Sequence, residues 1–215
     1  MRIALIHALA HSVEPINTAM QNAWPEARRM NLLDDSLSAD LASGAQGLDA
    51  AMHQRFLDLA AYAVGTGADG ILFTCSAFGP CIEAVKRQHP NIPVFKPNEA
   101  MIAEAETLGG RVGLIASFAD TLKTMPAEFQ ADTVLDTELV EPAMQALNQG
   151  DGARHDDLVV AAAERLLARG AEVIALAQFS MARAAIPLRQ RLKQPVLTTP
   201  DSAIKALQRA LHVSG

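Results

Sequence analysis

The chain reads as two copies of one unit laid end to end. Residues 67–75, Gly-Ala-Asp-Gly-Ile-Leu-Phe-Thr-Cys, align without a gap on residues 170–178, Gly-Ala-Glu-Val-Ile-Ala-Leu-Ala-Gln. Downstream, residues 93–99 align with residues 195–201 within one residue of the same offset. Upstream, Arg2-Ile3-Ala4-Leu5-Ile6 aligns with Arg111-Val112-Gly113-Leu114-Ile115. Any two strand–helix units look alike in a single block. Three blocks in one order, at a nearly constant offset, mark an internal repeat. Whatever one copy folds into, the other must fold into as well.

Each copy has the pattern strand, helix, strand, long helix, strand, helix, strand. Residues 3–6, 71–73, 112–115 and 173–176 are short apolar runs, as expected of parallel strands buried on both faces. Between them lie helical periods. The clearest covers residues 156–169, where Leu158, Val159, Ala162, Ala163, Leu166 and Leu167 share one face. Gly170 follows that helix and Gly67 follows its equivalent over residues 49–65, both at positions suited to a C-terminal cap. The alternation predicts an α/β fold of two Rossmann-like lobes, each a parallel sheet covered by helices. The expected lobes are residues 1–97 plus 198–215, and residues 98–197. The final helix, over residues 201–213, is expected to return to the first lobe. The repeat further predicts lobes related by a pseudo-twofold axis, with an active-site cleft between them.

Composition narrows the function classes. Of 215 residues, 24 are acidic and 18 are Lys or Arg, with no basic block, so the nucleic-acid footprint of clustered cations is missing. A polybasic membrane contact is excluded on the same ground. No apolar stretch approaches the roughly 20 residues that span a bilayer. Ala8-Leu9-Ala10 imitates a signal-peptidase site, but the apolar run before it is short and broken by His7, so the start reads as a first strand. The two cysteines, Cys75 and Cys81, fit neither a disulfide framework nor a zinc site, and a reducing cytoplasm is the expected compartment.

In parallel α/β sheets ligands bind beyond the carboxyl ends of the strands. Three such ends carry polar residues here. They are Thr74-Cys75-Ser76, its repeat mate Gln178-Phe179-Ser180, and Ser117-Phe118, whose mate on the first strand is His7 or Ala8. A helix begins near Phe78 to Pro80. Its unpaired N–H groups and positive dipole end are expected to lower the pKa of Cys75 and to hold a substrate carboxylate. The alternative for Cys75 is that of a small buried hydrophobe. Cys81, inside the following helix, reads as core. His7 and His11 are four apart, but no further ligand completes a metal site, and His7 reads as a loop residue at the cleft mouth. His155-Asp156-Asp157 reads as a helix start with favourable acidic charge. No phosphate-binding glycine loop and no nucleophile elbow occurs.

The duplicated lobes, Thr74-Cys75-Ser76 after a strand, and residues 171–181 together resemble the aspartate/glutamate racemase superfamily, over essentially the whole chain. That superfamily includes glutamate, aspartate and hydantoin racemases, maleate isomerase and arylmalonate decarboxylase. The resemblance implies a cofactor-independent and metal-free enzyme acting on a small carboxylate or amino-acid-like substrate, commonly a homodimer. In members with two thiols, one removes a proton beside a carboxylate and the other delivers one to the opposite face. Carried over, Cys75 is the first thiol, Ser76 its neighbouring carboxylate-binding hydroxyl and Ser117 a polar position at the start of the second lobe; Thr74, Phe118, Ser180 and His7, at the strand ends, are the further expected substrate-binding positions. Gln178 stands where the second thiol would be. An amide is neither a useful acid nor a useful base near neutral pH, so the expected catalytic pair is Cys75 as the single thiol acid/base and Gln178 as a hydrogen-bonding partner to the substrate. Racemisation or isomerisation is the leading expectation. A malonate-type decarboxylase, which needs one proton donor, and a ligand-binding member without turnover are the alternatives.

Overall fold

The computed structural model describes residues 1–44 and 47–212. Each copy of the repeat forms one compact unit with a four-stranded parallel sheet. In the first unit β1 (Arg2–His7) is followed by α1 (Val13–Ala23), β2 (Arg28–Leu33), α2 (Ser36–Ser43), α3 (Ala50–Gly65), β3 (Gly70–Phe73), α4 (Gly79–Gln88) and β4 (Val94–Phe95). In the second unit α5 (Glu99–Leu108) precedes β5 (Val112–Ala116), α6 (Ala119–Thr124), β6 (Leu135–Leu139) and α7 (Glu141–Asn148). Next come α8 (Gly152–Ala168), β7 (Val173–Leu176), α9 (Ala185–Arg191), β8 (Val196–Thr198) and α10 (Thr199–His212). The sheet orders, β2-β1-β3-β4 and β6-β5-β7-β8, are the same pattern twice, as the repeat requires.

The inner strands are the ones whose composition announces them. Every residue of β3, β5 and β7 is buried, as are the five residues that follow Arg2 in β1. The edge strands β2 and β6 mix half-buried and exposed residues, and the β6 carboxylates Asp136 and Glu138 are half-buried against Arg169 and Arg165. Around the first sheet, Ile6, Phe56, Ile71, Phe73, Phe78 and Ile82 lie in one apolar core. Phe56 stacks on Phe73 with ring centroids 5.3 Å apart and lies 4.9 Å from Phe78. In the second unit two apolar clusters form, one centred on α8 and α9, the other on α5.

The long helices start and stop on local signals. Asp49 accepts from the Met52 N–H at 2.8 Å and Asp151 from the Arg154 N–H at 2.9 Å, each capping its helix. Gly67 and Gly170 adopt φ of 81° and 93° just beyond the two helices, where the chain must reverse into β3 and β7. α8 therefore begins at Gly152, not at Asp156. His155 sits inside its first turns and is buried, bonded through Nδ1 to Asp156 Oδ1.

The first unit comprises Met1–Pro97 with the chain from Ala203 on, and the second comprises Asn98–Ser202. The second boundary falls inside α10, later than the expected residue 198. The first turn of α10 stays with the second unit, where the Ser202 hydroxyl donates to Glu104 Oε2 at 2.6 Å. Beyond it, Ala203, Ile204 and Leu207 are fully buried. The expected helix over residues 201–213 thus starts two residues earlier, and its expected end, Val213, lies outside the described residues. Among the described residues no helix is long and apolar enough to cross a membrane.

Candidate active site

Both sheets have a topological switch point. From the central strand β1 the chain moves to β2 on one side and later to β3 on the other, and β5 does the same with β6 and β7. A crevice opens at the carboxyl ends of such strand pairs, and polar residues there face ligands. Strand pairing sets which residues meet. Ile6 pairs with Phe73, which places His7 beside Thr74 and Ala8 beside Cys75. Ile115 pairs with Leu176, which places Ala116 beside Ala177 and Ser117 beside Gln178. Of the two first-strand mates considered for Ser117, the register selects Ala8.

In the first unit, Cys75 leaves β3 in an extended conformation and opens a three-residue 3-10 turn, Ser76–Phe78, before α4. Its residue is partly exposed, and its sulfur is hydrogen-bonded to the Ala77 backbone and the Ser38 hydroxyl. Beneath it lies a narrow recess with no room for a water molecule, lined by Ile6, His7, Ala8, Leu37, Phe56 and Phe73 as well as Cys75. Burial against this mostly apolar floor pushes the thiol above its ordinary value, and the two hydrogen bonds only partly oppose the rise. The expectation of a lowered thiol pKa is therefore corrected. α4 begins at Gly79, beyond the 3-10 turn, and a helix dipole fades within about one turn. Cys81 is fully buried in α4, and burial, aided by the Asp49 carboxylate, raises its pKa to about 11.

His7 is the last residue of β1 and is fully buried, not a loop residue at a cleft mouth. Its Nε2 lies 3.0 Å from Asn31 Oδ1 and its Nδ1 lies 2.9 Å from Thr74 Oγ1. An amide oxygen only accepts, so Nε2 carries the proton and the Thr74 hydroxyl donates to Nδ1. Burial lowers the His7 pKa, with the Asn31 bond opposing, so the ring is neutral at pH 7. Asn31 is itself paired with Asn17, whose Nδ2 donates to Asn31 Oδ1 at 2.9 Å. The chain Asn17–Asn31–His7–Thr74 ties α1, β2, β1 and the residue preceding Cys75 into one polar network.

Ser38, the thiol's partner, stands on α2, and α2 is held by Arg55 of α3. Arg55 bridges Asp34 at 2.7 Å and Asp40 at 2.6 Å and donates to the Ser36 hydroxyl at 2.6 Å. Sequence reasoning did not single out Ser38, Asn31 or Asn17. Polar residues on amphipathic helices and edge strands look solvent-facing until the partner strand is known. Two buried side-chain atoms at helix starts, Asn98 Nδ2 and Thr199 Oγ1, were missed for the same reason and have no hydrogen-bond partner among the described residues.

In the second unit the Gln178 side chain reaches across to the neighbouring strand end. Its Oε1 accepts from the Ser117 backbone N–H at 2.6 Å and from the Ser117 hydroxyl at 2.9 Å. Phe118, next along the chain, is 43% exposed at the start of α6, and Ser180 is buried in the 3-10 turn Phe179–Ala184. Ser76 is half-buried and Thr74 buried. The structure thus joins His7 to Thr74 and Ser117 to Gln178. Among the described residues no hydrogen bond joins Phe118 or Ser180 to either pair.

A larger open cavity of about 450 Å³ sits at the opposite, amino-terminal ends of β5 and β7. Two of its three carboxylates are already engaged: Glu106 accepts from the Gln130 backbone and amide at 2.7 and 3.1 Å, and Glu172 from the Arg111 N–H at 3.3 Å. Among the described residues no three His, Cys, Asp or Glu side chains converge on a metal-sized space, and His11 is exposed in a 3-10 turn.

The sequence profile of the Asp/Glu/Hydantoin racemase family matches residues 8–207. The chain belongs to that family. Among curated proteins none is significantly similar. Solved structures share the fold. Allantoin racemase from Klebsiella pneumoniae is 19% identical, with a TM-score of 0.74 over 100% of this chain and 89% of its own. Glutamate racemase from Thermus thermophilus is 17% identical, with a TM-score of 0.72 over 100% and 81%. Unliganded arylmalonate decarboxylase is 15% identical, with a TM-score of 0.66 over 100% and 94%. As in the racemase structures, the fold is α/β with two sheet-bearing units.

The two thiols of this family member are expected to differ by access. Iodoacetamide at pH 8 should modify Cys75 in the native protein, more slowly than free cysteine because its thiolate fraction is reduced. Cys81, with no exposed surface, should react only after unfolding in urea. Peptide mass mapping over time separates the two. Native labelling of Cys81 at the same rate as Cys75 would overturn this assignment.

Proposed function

We propose that the protein is a cofactor-independent carbon-acid enzyme of the racemase/isomerase type. Its substrate is a small carboxylate or amino-acid-like molecule, and Cys75 is the single thiol acid/base. The observation that carries this reading is the position of Cys75. It is a partly exposed thiol at the β1/β3 switch point, its sulfur held by Ala77 and Ser38. Family membership supplies the reaction class: removal or return of a proton at a carbon made acidic by an adjacent carbonyl or carboxylate. Hydrogen-bond donors at the strand ends would stabilise the enolate-like species, the usual electrostatic share of such catalysis. Ser76 flanks the thiol for this purpose, whereas the Thr74 hydroxyl and N–H are already given to His7 and Ile6.

A second reading, decarboxylation of a malonate-like acid, is favoured by one specific observation. Burial keeps the Cys75 thiol protonated at neutral pH, and loss of carbon dioxide creates a carbanion that needs only a proton donor. The solved relatives include an arylmalonate decarboxylase alongside racemases.

Acidity separates the two readings, because they use opposite forms of the same group. If Cys75 acts as a base, the working form is the thiolate. Exchange of the substrate's acidic hydrogen with heavy water should then rise about tenfold per pH unit from pH 6 to 8, without a plateau below the ordinary thiol value of 9.0. If Cys75 acts as a donor, carbon dioxide release should be flat over that range and fall as the thiol ionises. Each enantiomer of a panel of α-amino acids, 5-substituted hydantoins and aryl malonates is followed by deuterium uptake and carbon dioxide evolution. Silence in both readouts across the panel would sink both readings and leave a ligand-binding member without turnover.

A further inference from the structure

We propose that Ser117 locks the Gln178 amide as a one-way hydrogen-bond donor. The strand end of the second unit then reads an sp² oxygen of the ligand, a carboxylate or carbonyl, and exchanges no proton with it. The proposal rests on the proposed function for the kind of molecule bound, and on the second unit alone for its geometry.

The orientation of an amide is often ambiguous, since its oxygen and nitrogen look alike. Here chemistry decides it. A backbone N–H can only donate, so the Gln178 atom 2.6 Å from the Ser117 nitrogen is the carbonyl oxygen. The Ser117 hydroxyl, 2.9 Å from the same oxygen, supplies a second donor and fills its remaining lone pair. Oε1 is therefore spent. Nε2, on the other side of the amide carbon in the same plane, has two N–H groups and no partner among the described residues. The residue is half-buried, so those donors are not sealed in a core. A group fixed in this way accepts nothing. It discriminates for an oxygen acceptor and against an ammonium or another N–H donor.

The repeat sharpens the contrast. At the equivalent place in the first unit, Cys75 receives donors at its sulfur and carries a transferable proton. At Gln178 the polarity is reversed: the group gives hydrogen bonds and has no proton to transfer near neutral pH. One strand end is chemical and the other is a reader. Ser117 acts through Gln178 and is a positioning residue.

The test uses the full-length protein, ¹⁵N-labelled, with malonate and hydantoin as probes. The Gln178 side-chain amide pair is assigned by its loss in Gln178→Glu. Saturating either probe is expected to shift that pair in the wild type and equally in Cys75→Ala, since reading does not need the thiol. Gln178→Met removes the donors without adding charge, and malonate should bind about tenfold more weakly. Ser117→Ala should weaken malonate as well, and Ser117→Thr, which restores a hydroxyl, should recover it. No shift with either probe, a loss below threefold in Gln178→Met, or equal affinity in all three Ser117 forms overturns the proposal. A shifted amide in a protein with no hydrogen exchange or carbon dioxide release leaves the reader standing and removes the carbon-acid activity. Turnover with malonate affinity unchanged in Gln178→Met does the reverse.

Discussion

Cys75→Ala is expected to lower solvent-hydrogen exchange, or carbon dioxide release, by about a thousandfold, within the range a single acid/base group supplies. No other group can stand in at that strand end. His7 is the nearest titratable residue on the adjoining strand, but both of its ring nitrogens are bonded and it is fully buried. Cys75→Ser is the informative companion. Its hydroxyl can keep the bonds to Ala77 and Ser38, yet it ionises far above any working pH, so it should be as inactive as alanine. Circular dichroism and the urea midpoint should show both variants folded. Exchange surviving in Cys75→Ala to within tenfold of wild type would remove the thiol from the mechanism. Activity in serine but not alanine would make residue 75 a binding group.

Phe56→Ala should produce the largest loss of stability, about 3–5 kcal/mol, the usual cost of emptying a buried aromatic site. Phe56 is 2% exposed and joins α3 to the sheet through its contacts with Phe73 and Phe78. Its ring also forms part of the recess under Cys75. The cavity would therefore loosen the floor of the site, and catalysis should fall with stability. Phe56→Leu keeps most of the volume and should cost less than about 1.5 kcal/mol. The chain has one tryptophan, Trp24, buried in the first unit, so its fluorescence in a urea titration reports the unit that is altered. A loss below 1.5 kcal/mol for the alanine variant would mean that the ring is not carrying the packing assigned to it.

The sequence was most informative where burial leaves little choice of residue. Strands β3, β5 and β7, and β1 from Ile3 to Ile6, are apolar without interruption because both of their faces are covered, and that is why the repeat is visible through them. Cys75 and Gln178 could be placed at equivalent strand ends on the repeat alone. The edge strands were harder to place, since Arg28 to Leu33 alternates with water and resembles a loop. The site's environment was less legible still. A lowered thiol pKa was inferred from a helix that in fact begins beyond a 3-10 turn, and the apolar recess that raises it is assembled from β1, α2, α3 and β3. Ser38 and Asn31 depend on the same long-range assembly. His7 was misread for a similar reason. A histidine ending an apolar run looks like the first residue of a loop, unless Thr74 and Asn31 are known to flank it on the neighbouring strands.

The division of α10 between the two units fixes an order of maturation. Leu207 lies against the start of β3, where a side chain grown on Gly70 would meet its Cδ2 at 3.3 Å, and the Gln208 amide donates to the Ala23 carbonyl at 3.2 Å. The half that the ribosome makes first therefore waits for Ala203 to Leu207 to emerge before its sheet is covered. The half made second is a contiguous stretch, Asn98–Ser202, and can close earlier. During synthesis Cys75 thus belongs to an unfinished layer. Emergence of α10, not translation of residue 97, completes that unit.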